Sequence, residues 1–336
     1  MSLMRKRTRY SLLLMLALMV ALAVVLVLRK AAPPEAARLL PESDAIVYAN
    51  LKPLRAATHF ERTQVTRTTD YQRFVDATGI VPERDLDSAA FALHRMDDPD
   101  GPNGQVGYSE VFEGRFDGGR LASYLTTIAT AKESYSGHDI YTIAVSDGKV
   151  TRPLRIAQLG YDTIAASNMP TPEQIHSIID RHRAAASPFS GSSLLSERYH
   201  DVPAFSGVWA IGHIGLPFSD RGYISILGLQ LPLSEDTTFV ASVRYLGTLH
   251  LRVEQIAPSE ADAAKATETL TSLIGLVKTV ERTSAQMRPQ TPEDKDIQQL
   301  TDSAKIEQHK DRAVLTANIP VDLLKKLTTA SSEGGR

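Results

Sequence analysis

The chain of 336 residues contains no cysteine. Disulfides, thiol catalysis, thiolate-bound metal and a lipid-modified cysteine are therefore excluded together. It also lacks an N-x-[ST] sequon, because Asn50, Asn103, Asn168 and Asn318 are each followed by the wrong residues. Aromatic residues make up only 6%, and Trp209 is the single tryptophan. The sequence has no G-x-S-x-G, H-E-x-x-H, G-x-G-x-x-G or G-x-x-x-x-G-K-[ST]. The common signatures of hydrolase, zinc-peptidase and nucleotide sites are thus missing.

Excess charge of either sign is missing too, since the net charge is −2. The average hides an asymmetry. Residues 1–30 hold six cations and no acid, leaving 31 cations against 39 acids, a net of −8, in the rest. A body of that sign, with its basic residues dispersed and no RNP-like aromatic signature, is not expected to bind nucleic acid.

One long apolar run is present, Ser11 to Leu28, SLLLMLALMVALAVVLVL. Leu12, Leu13, Leu14, Met15, Leu16, Leu18, Val20, Leu22, Val24, Val25, Leu26, Val27 and Leu28 make it apolar on every side. In hydrocarbon the backbone must satisfy its own polar groups, which favours a helix. At about 1.5 Å per residue such a helix reaches about 27 Å, close to the bilayer core of about 30 Å. Arg5, Lys6, Arg7 and Arg9 precede the run, and Arg29 and Lys30 follow it. That bias places the N-terminus in the cytoplasm and the body outside. Cleavage as a signal peptide is disfavoured: Ala21-Leu22-Ala23 lies inside the run, and charge and proline follow it.

The remaining chain reads as α+β. The expected organisation is a basic cytoplasmic tail over 1–10, a transmembrane helix over 11–28 and a stalk over 29–40. A first α+β module over 41–184, a linker over 185–204, a second module over 205–330 and a disordered tail over 331–336 would follow. Strands are expected at 45–51, 88–94, 105–116, 139–145, 154–159, 163–167, 206–211, 238–245, 248–255, 305–308 and 313–318, from β-branched and aromatic content. Helices are expected at about 71–78, closed by Gly79, from Asp117, from Pro172, from about Ser259 and from Pro320.

The pattern restarts in the second half. Val208-Trp209-Ala210 resembles Val47-Tyr48-Ala49. Ile156–Pro170, IAQLGYDTIAASNMP, matches Ile306–Pro320, IEQHKDRAVLTANIP, at Ile, Gln, Asn and Pro without a gap. Two related modules are expected, each an antiparallel sheet with helices on one face, of a ferredoxin-like βαββαβ type. With its single N-terminal anchor, PESDAIVYANLKPLR and TGIVPERDLDSAAFAL, the chain resembles uncharacterised bacterial envelope proteins with a repeated α+β ectodomain. The resemblance implies an inner-membrane, single-pass location and this fold, and carries no site.

Candidate chemistry is thin. Ser190, Ser192 and Ser193 lie near His200 and Asp201, but a triad is a matter of geometry. His176, with Glu173 and Asp180, shares a helix face that metal could use. Asp97, Asp98 and Asp100 fall in a turn that does not match an EF-hand loop. Asp85 with Asp87, and Glu293 with Asp294, are acid pairs in polar stretches. Gly118-Gly119 open a helix that Asp117 caps. Leu121, Tyr124, Leu125 and Ile128, at i, i+3, i+4, i+7, read as core. No catalytic residue, cofactor or metal is assigned.

The last feature is apolar: Gly222–Pro232, with Tyr223, Ile224, Ile226, Leu227 and Leu229, is either a buried hairpin or a partner surface. The expected function is a non-enzymatic binding or assembly module. Its partners would be the lipid bilayer, through the helix, and an envelope protein. The alternative is an envelope hydrolase or a small-ligand carrier.

Overall fold

A computed structural model describes residues 32–320, apart from 59–60, 62–67, 102–103, 147–149, 185–189, 214–222, 227–228, 233–236, 246 and 288–291. The expected anchor, the helix from Pro320 and the tail lie outside the described residues. No described helix is long and apolar enough to cross a membrane.

Twelve strands form one sheet. They are β1 (Ala45–Asn50), β2 (Leu86–Arg95), β3 (Val106–Gly114), β4 (Ala131–Tyr135), β5 (His138–Ser146), β6 (Thr151–Gln158), β7 (Thr163–Ser167), β8 (Val208–His213), β11 (Thr238–Tyr245), β12 (Leu249–Ile256), β13 (Lys305–His309) and β14 (Arg312–Ile319). β9 (Tyr223–Ile226) and β10 (Leu229–Pro232) make a separate hairpin. The order across the large sheet is β13-β14-β12-β11-β8-β1-β2-β3-β7-β6-β5-β4. Outwards from the β1–β8 pair it runs β1-β2-β3-β7-β6-β5-β4 on one side and β8-β11-β12-β14-β13 on the other, so the first side has two more strands. The matched segments around Ile156 and Ile306 fall on the hairpins β6–β7 and β13–β14. Ile156 pairs with Ala166 and Ile306 with Leu315, so the second hairpin is one residue shorter.

The α+β expectation holds, with a large antiparallel sheet. The ferredoxin-like order does not. Every neighbouring pair is antiparallel. The crossovers of a βαββαβ unit would set two strands parallel and adjacent. Here the helix Gly118–Ile128 carries the chain from β3 to the edge strand β4, and the helices Glu260–Met287 and Pro292–Ser303 carry it from β12 to the edge strand β13; hairpins then bring it back inwards, and both halves share one sheet.

The helices are α1 (Glu35–Leu39), α2 (Leu51–Thr58), α3 (Thr69–Thr78), α4 (Pro82–Asp85), α5 (Gly118–Ile128), α6 (Glu173–Arg183), α7 (Ser193–Arg198), α8 (Glu260–Met287) and α9 (Pro292–Ser303). Side chains alternate across a strand, so each face of the sheet carries its own set. On the first face Ala90, Ala92, Ala157 and Ala165 are small enough for helices to approach closely. There Ala36, Ala37, Leu39 and Leu40 from the α1 region pack with Ile175, Ile178 and Ile179 of α6 and Leu194 and Leu195 of α7. The core on this face continues through Ile46, Tyr48, Val111, Ile140, Trp209, Ile211 and Val240.

Two expected boundaries change. The end of the stalk forms α1, with Ala36, Ala37, Leu39 and the following Leu40 buried, because alanines and leucines find the small-residue face of the sheet. The end of the linker is α7, capped by Ser192 on the Leu195 N–H at 3.3 Å, with Leu195 fully buried.

On the second face α3 and α5 pack together and α5 meets β5. There Ile80, Leu121, Leu125 and Tyr141 form a smaller apolar cluster, bordered by Phe74, Phe116, Ile156 and Ile164.

Candidate functional site

That smaller cluster is incompletely filled. Between the second face and α3–α5 lies an apolar cleft of about 310 Å³. Its floor is Glu110 and Phe112 of β3, Ile164 and Ala166 of β7, Leu154 and Ile156 of β6 and Ile143 of β5. The register explains the grouping, since Glu110 pairs with Ala166, and Ala166 with Ile156. The walls are Phe74, Ile80, Pro82, Leu86 and Phe116, with Leu121, Tyr124, Leu125 and Ile128 of α5.

Local chemistry holds these walls. Thr68 caps α3 by accepting from the Tyr71 N–H at 3.3 Å. Gly79 ends α3 in the left-handed region, at φ 74°, where a side chain would be strained. The Arg120 guanidinium lies over Gly79 and donates to the carbonyls of Ala77, at 3.2 Å, and Asp76, at 3.0 Å. It thereby ties the end of α3 to α5. Phe74 and Tyr124 meet edge to face at 5.8 Å. Asp117 caps α5, accepting from the Arg120 N–H at 3.0 Å.

Among the described residues, Glu110 is the only charged one lining the cleft. Burial raises its pKa from 4.5 to about 7, with no opposing cation or hydrogen bond. The α5 stripe expected to be core is therefore core at Leu121 and Leu125, and a cleft wall at Tyr124 and Ile128. Glu110 was not singled out in the sequence. Its signal is local: Tyr108, Glu110 and Phe112 fall on one strand face, opposite Gly107, Ser109 and Val111.

Of the residues considered from sequence, Glu173, His176 and Asp180 line one open surface pocket, and His200 Nε2 lies 3.4 Å from Asp201 Oδ1. Ser193 donates to Glu42 at 2.6 Å. The His200 side chain is 72% exposed, and Asp201 is buried against Arg312 at 2.8 Å. His176 contacts Glu133 at 2.8 Å and stacks on Tyr135 at 3.8 Å, while Asp180 accepts from Tyr135 at 2.9 Å. His138 lies 3.0 Å from the Gln158 carbonyl and faces His182 edge-on. Among the described residues, no group of three His, Asp or Glu is arranged to hold a metal ion. Gln158 crowds Gly118 at the α5 N-terminus, where an anion would have to sit.

A serine–histidine contact does exist: His94 Nε2 is 2.9 Å from Ser109 Oγ, itself 3.2 Å from Ser167 Oγ. All three residues are buried. Burial lowers the His94 pKa. This chain of hydrogen bonds satisfies polar groups beneath the sheet, out of reach of a substrate. Tyr223, Ile224, Ile226 and Leu229 fall on the β9–β10 hairpin, where Ile226 pairs with Leu229; Leu227 lies outside the described residues.

Three crystal forms of TP0453 are similar in structure to this chain. Form I gives a TM-score of 0.43 at 9% identity, covering 88% of this chain and 96% of that one. Form IV gives 0.46 at 9%, covering 88% and 96%. Form III gives 0.47 at 10%, covering 89% and 99%. No protein-family model matches the chain, and no curated protein is similar to it.

Proposed function

We propose that the protein is a membrane-anchored, non-enzymatic binding module, and that its body carries a small apolar molecule in the cleft between α3–α5 and the sheet. The observation that supports this reading is a cleft of about 310 Å³ with an almost wholly apolar lining and one unpaired carboxyl. Small-molecule sites have this make-up: mostly apolar walls with a few polar groups that fix orientation. An unfilled apolar space forfeits packing contacts, and an apolar guest restores them.

The setting belongs to the same proposal. Ser11–Leu28 anchors the chain in an inner membrane, with the N-terminus cytoplasmic and the body periplasmic or extracellular. The two strand sets flanking the β1–β8 pair are read as copies of one module, on the corresponding arrangement of the first five strands of each side and the matched hairpins, with β5 and β4 an addition to the first. The cleft lining comes from the first set and from α3–α5. Gly222–Pro232 stays a proposed surface for an envelope protein partner, on its run of apolar residues.

The test is organic extraction of the full chain purified from its membrane, followed by mass spectrometry, against Ala166→Phe. The added ring would point into the cleft. A defined apolar compound enriched with the native chain and lost from the variant is the expected result. Equal recovery from both would reject the cleft as the carrier site.

A further inference from the structure

The carboxyl in the cleft has nothing to pair with. Phe91 and Ala166 flank Glu110 across the strands, and Tyr108 and Phe112 lie two residues either side along β3. Among the described residues, the only other titratable group lining the cleft is the Tyr124 phenol. The other residues that line the cleft from α5, from the stretch 74–86 and from β5–β7 are apolar. Glu110 is half-buried, and a carboxylate partly withdrawn from water and left unpaired is costly. A second anion beside it would add repulsion. A cationic donor would replace the lost water with a charge-assisted hydrogen bond.

We propose that the cleft selects apolar molecules ending in a protonated amine, with the ammonium on Glu110 and the hydrocarbon among Phe74, Tyr124, Leu125 and Ile156, and rejects apolar acids of equal length. This rests on reading the cleft as a ligand site. The ammonium competes with a proton for the same carboxyl. Glu110 titrates at about 7, whereas an alkylammonium stays charged to about pH 10. The ionised fraction of Glu110 then rises from roughly 10% at pH 6 to roughly 90% at pH 8, so amine binding tightens about tenfold.

The test uses the full chain in lipid nanodiscs and three ten-carbon probes with a diazirine on the chain: an amine, an alcohol and a carboxylic acid. Irradiation and peptide mapping measure labelling of the cleft segments 110–128 and 154–166 in the native chain and in Glu110→Gln. The ratio between the two proteins removes partitioning of probe into lipid. The expected result is preferential amine labelling, rising about tenfold from pH 6 to pH 8 in the native chain and flat in Glu110→Gln. Cleft labelling that is equal for all three heads, or unchanged by Glu110→Gln, leaves a ligand site but overturns the amine preference. No cleft labelling by any probe overturns both readings.

Discussion

Tyr48 and Trp209 stack at 5.4 Å, with their rings 28° apart, on the two strands that join the halves of the sheet. The pair is in register, Tyr48 opposite Trp209 across β1 and β8, and Tyr199 meets the same indole edge to face. The two sequence segments that resemble one another are thus direct neighbours at the centre of the molecule.

Trp209→Ala should therefore weaken both halves at once. The side chain is 2% exposed, and truncating a buried aromatic costs about 3–5 kcal/mol. Thermal unfolding followed at reporters in each half should shift together. Independent transitions in the two halves would show that the β1–β8 seam does not couple them.

A second expectation concerns Arg312. Its guanidinium bridges Asp201 at 2.8 Å and Glu254 at 3.0 Å, both nearly buried, while Arg252 holds the other Glu254 oxygen at 2.6 Å. Asp201 Oδ2 has no partner of its own. Arg312→Leu leaves Asp201 uncompensated and should cost about 3–5 kcal/mol. Chemical denaturation at low and high salt would measure this, and the loss should be nearly salt-independent. A loss under 1 kcal/mol would mean that solvent already screens the cluster.

The cleft carboxyl should oppose folding at high pH. The folded-state pKa of Glu110, about 7, lies above its ordinary 4.5. The folded state therefore holds the proton more tightly, and stability falls as pH rises from about 4.5 to about 7. Glu110→Gln removes that cost. It should stabilise the protein by about 1–3 kcal/mol at pH 8 and leave it nearly unchanged at pH 5. Denaturant midpoints of both proteins at the two pH values give the answer, and a pH-independent difference would count against the burial of this group.

The anchor predicts a clean fractionation result. The full chain should pellet with membranes through alkaline washing, and a chain lacking residues 1–30 should not. Protease added outside the membrane should digest the body and spare the first ten residues. Protection of the body would reverse the proposed orientation.

Much of the architecture was legible from local pattern. β7 and β11 run over the expected residues, and the other expected strands differ by a few residues at their ends. At the helix ends Gly79 and Asp117 show why: turn and cap chemistry is a property of the residue and its near neighbours. The edge strand β4, AKESY, was missed because its residues are mostly exposed and polar. α1 and α7 were read as stalk and linker because their few apolar residues show no period over so short a stretch. Their helical state depends on burial against the sheet.

By itself the sequence determined the apolar run, the charge asymmetry, the absence of thiol chemistry and the alternation that makes strands. Each follows from composition or from contacts within a few residues. The tertiary structure decided that both halves share one antiparallel sheet. It also decided that Glu110 faces a cleft rather than water. A carboxylate on an alternating strand looks the same in either setting. Only the packing of α3 and α5, more than thirty residues apart in the chain, surrounds it with apolar atoms and limits its contact with solvent.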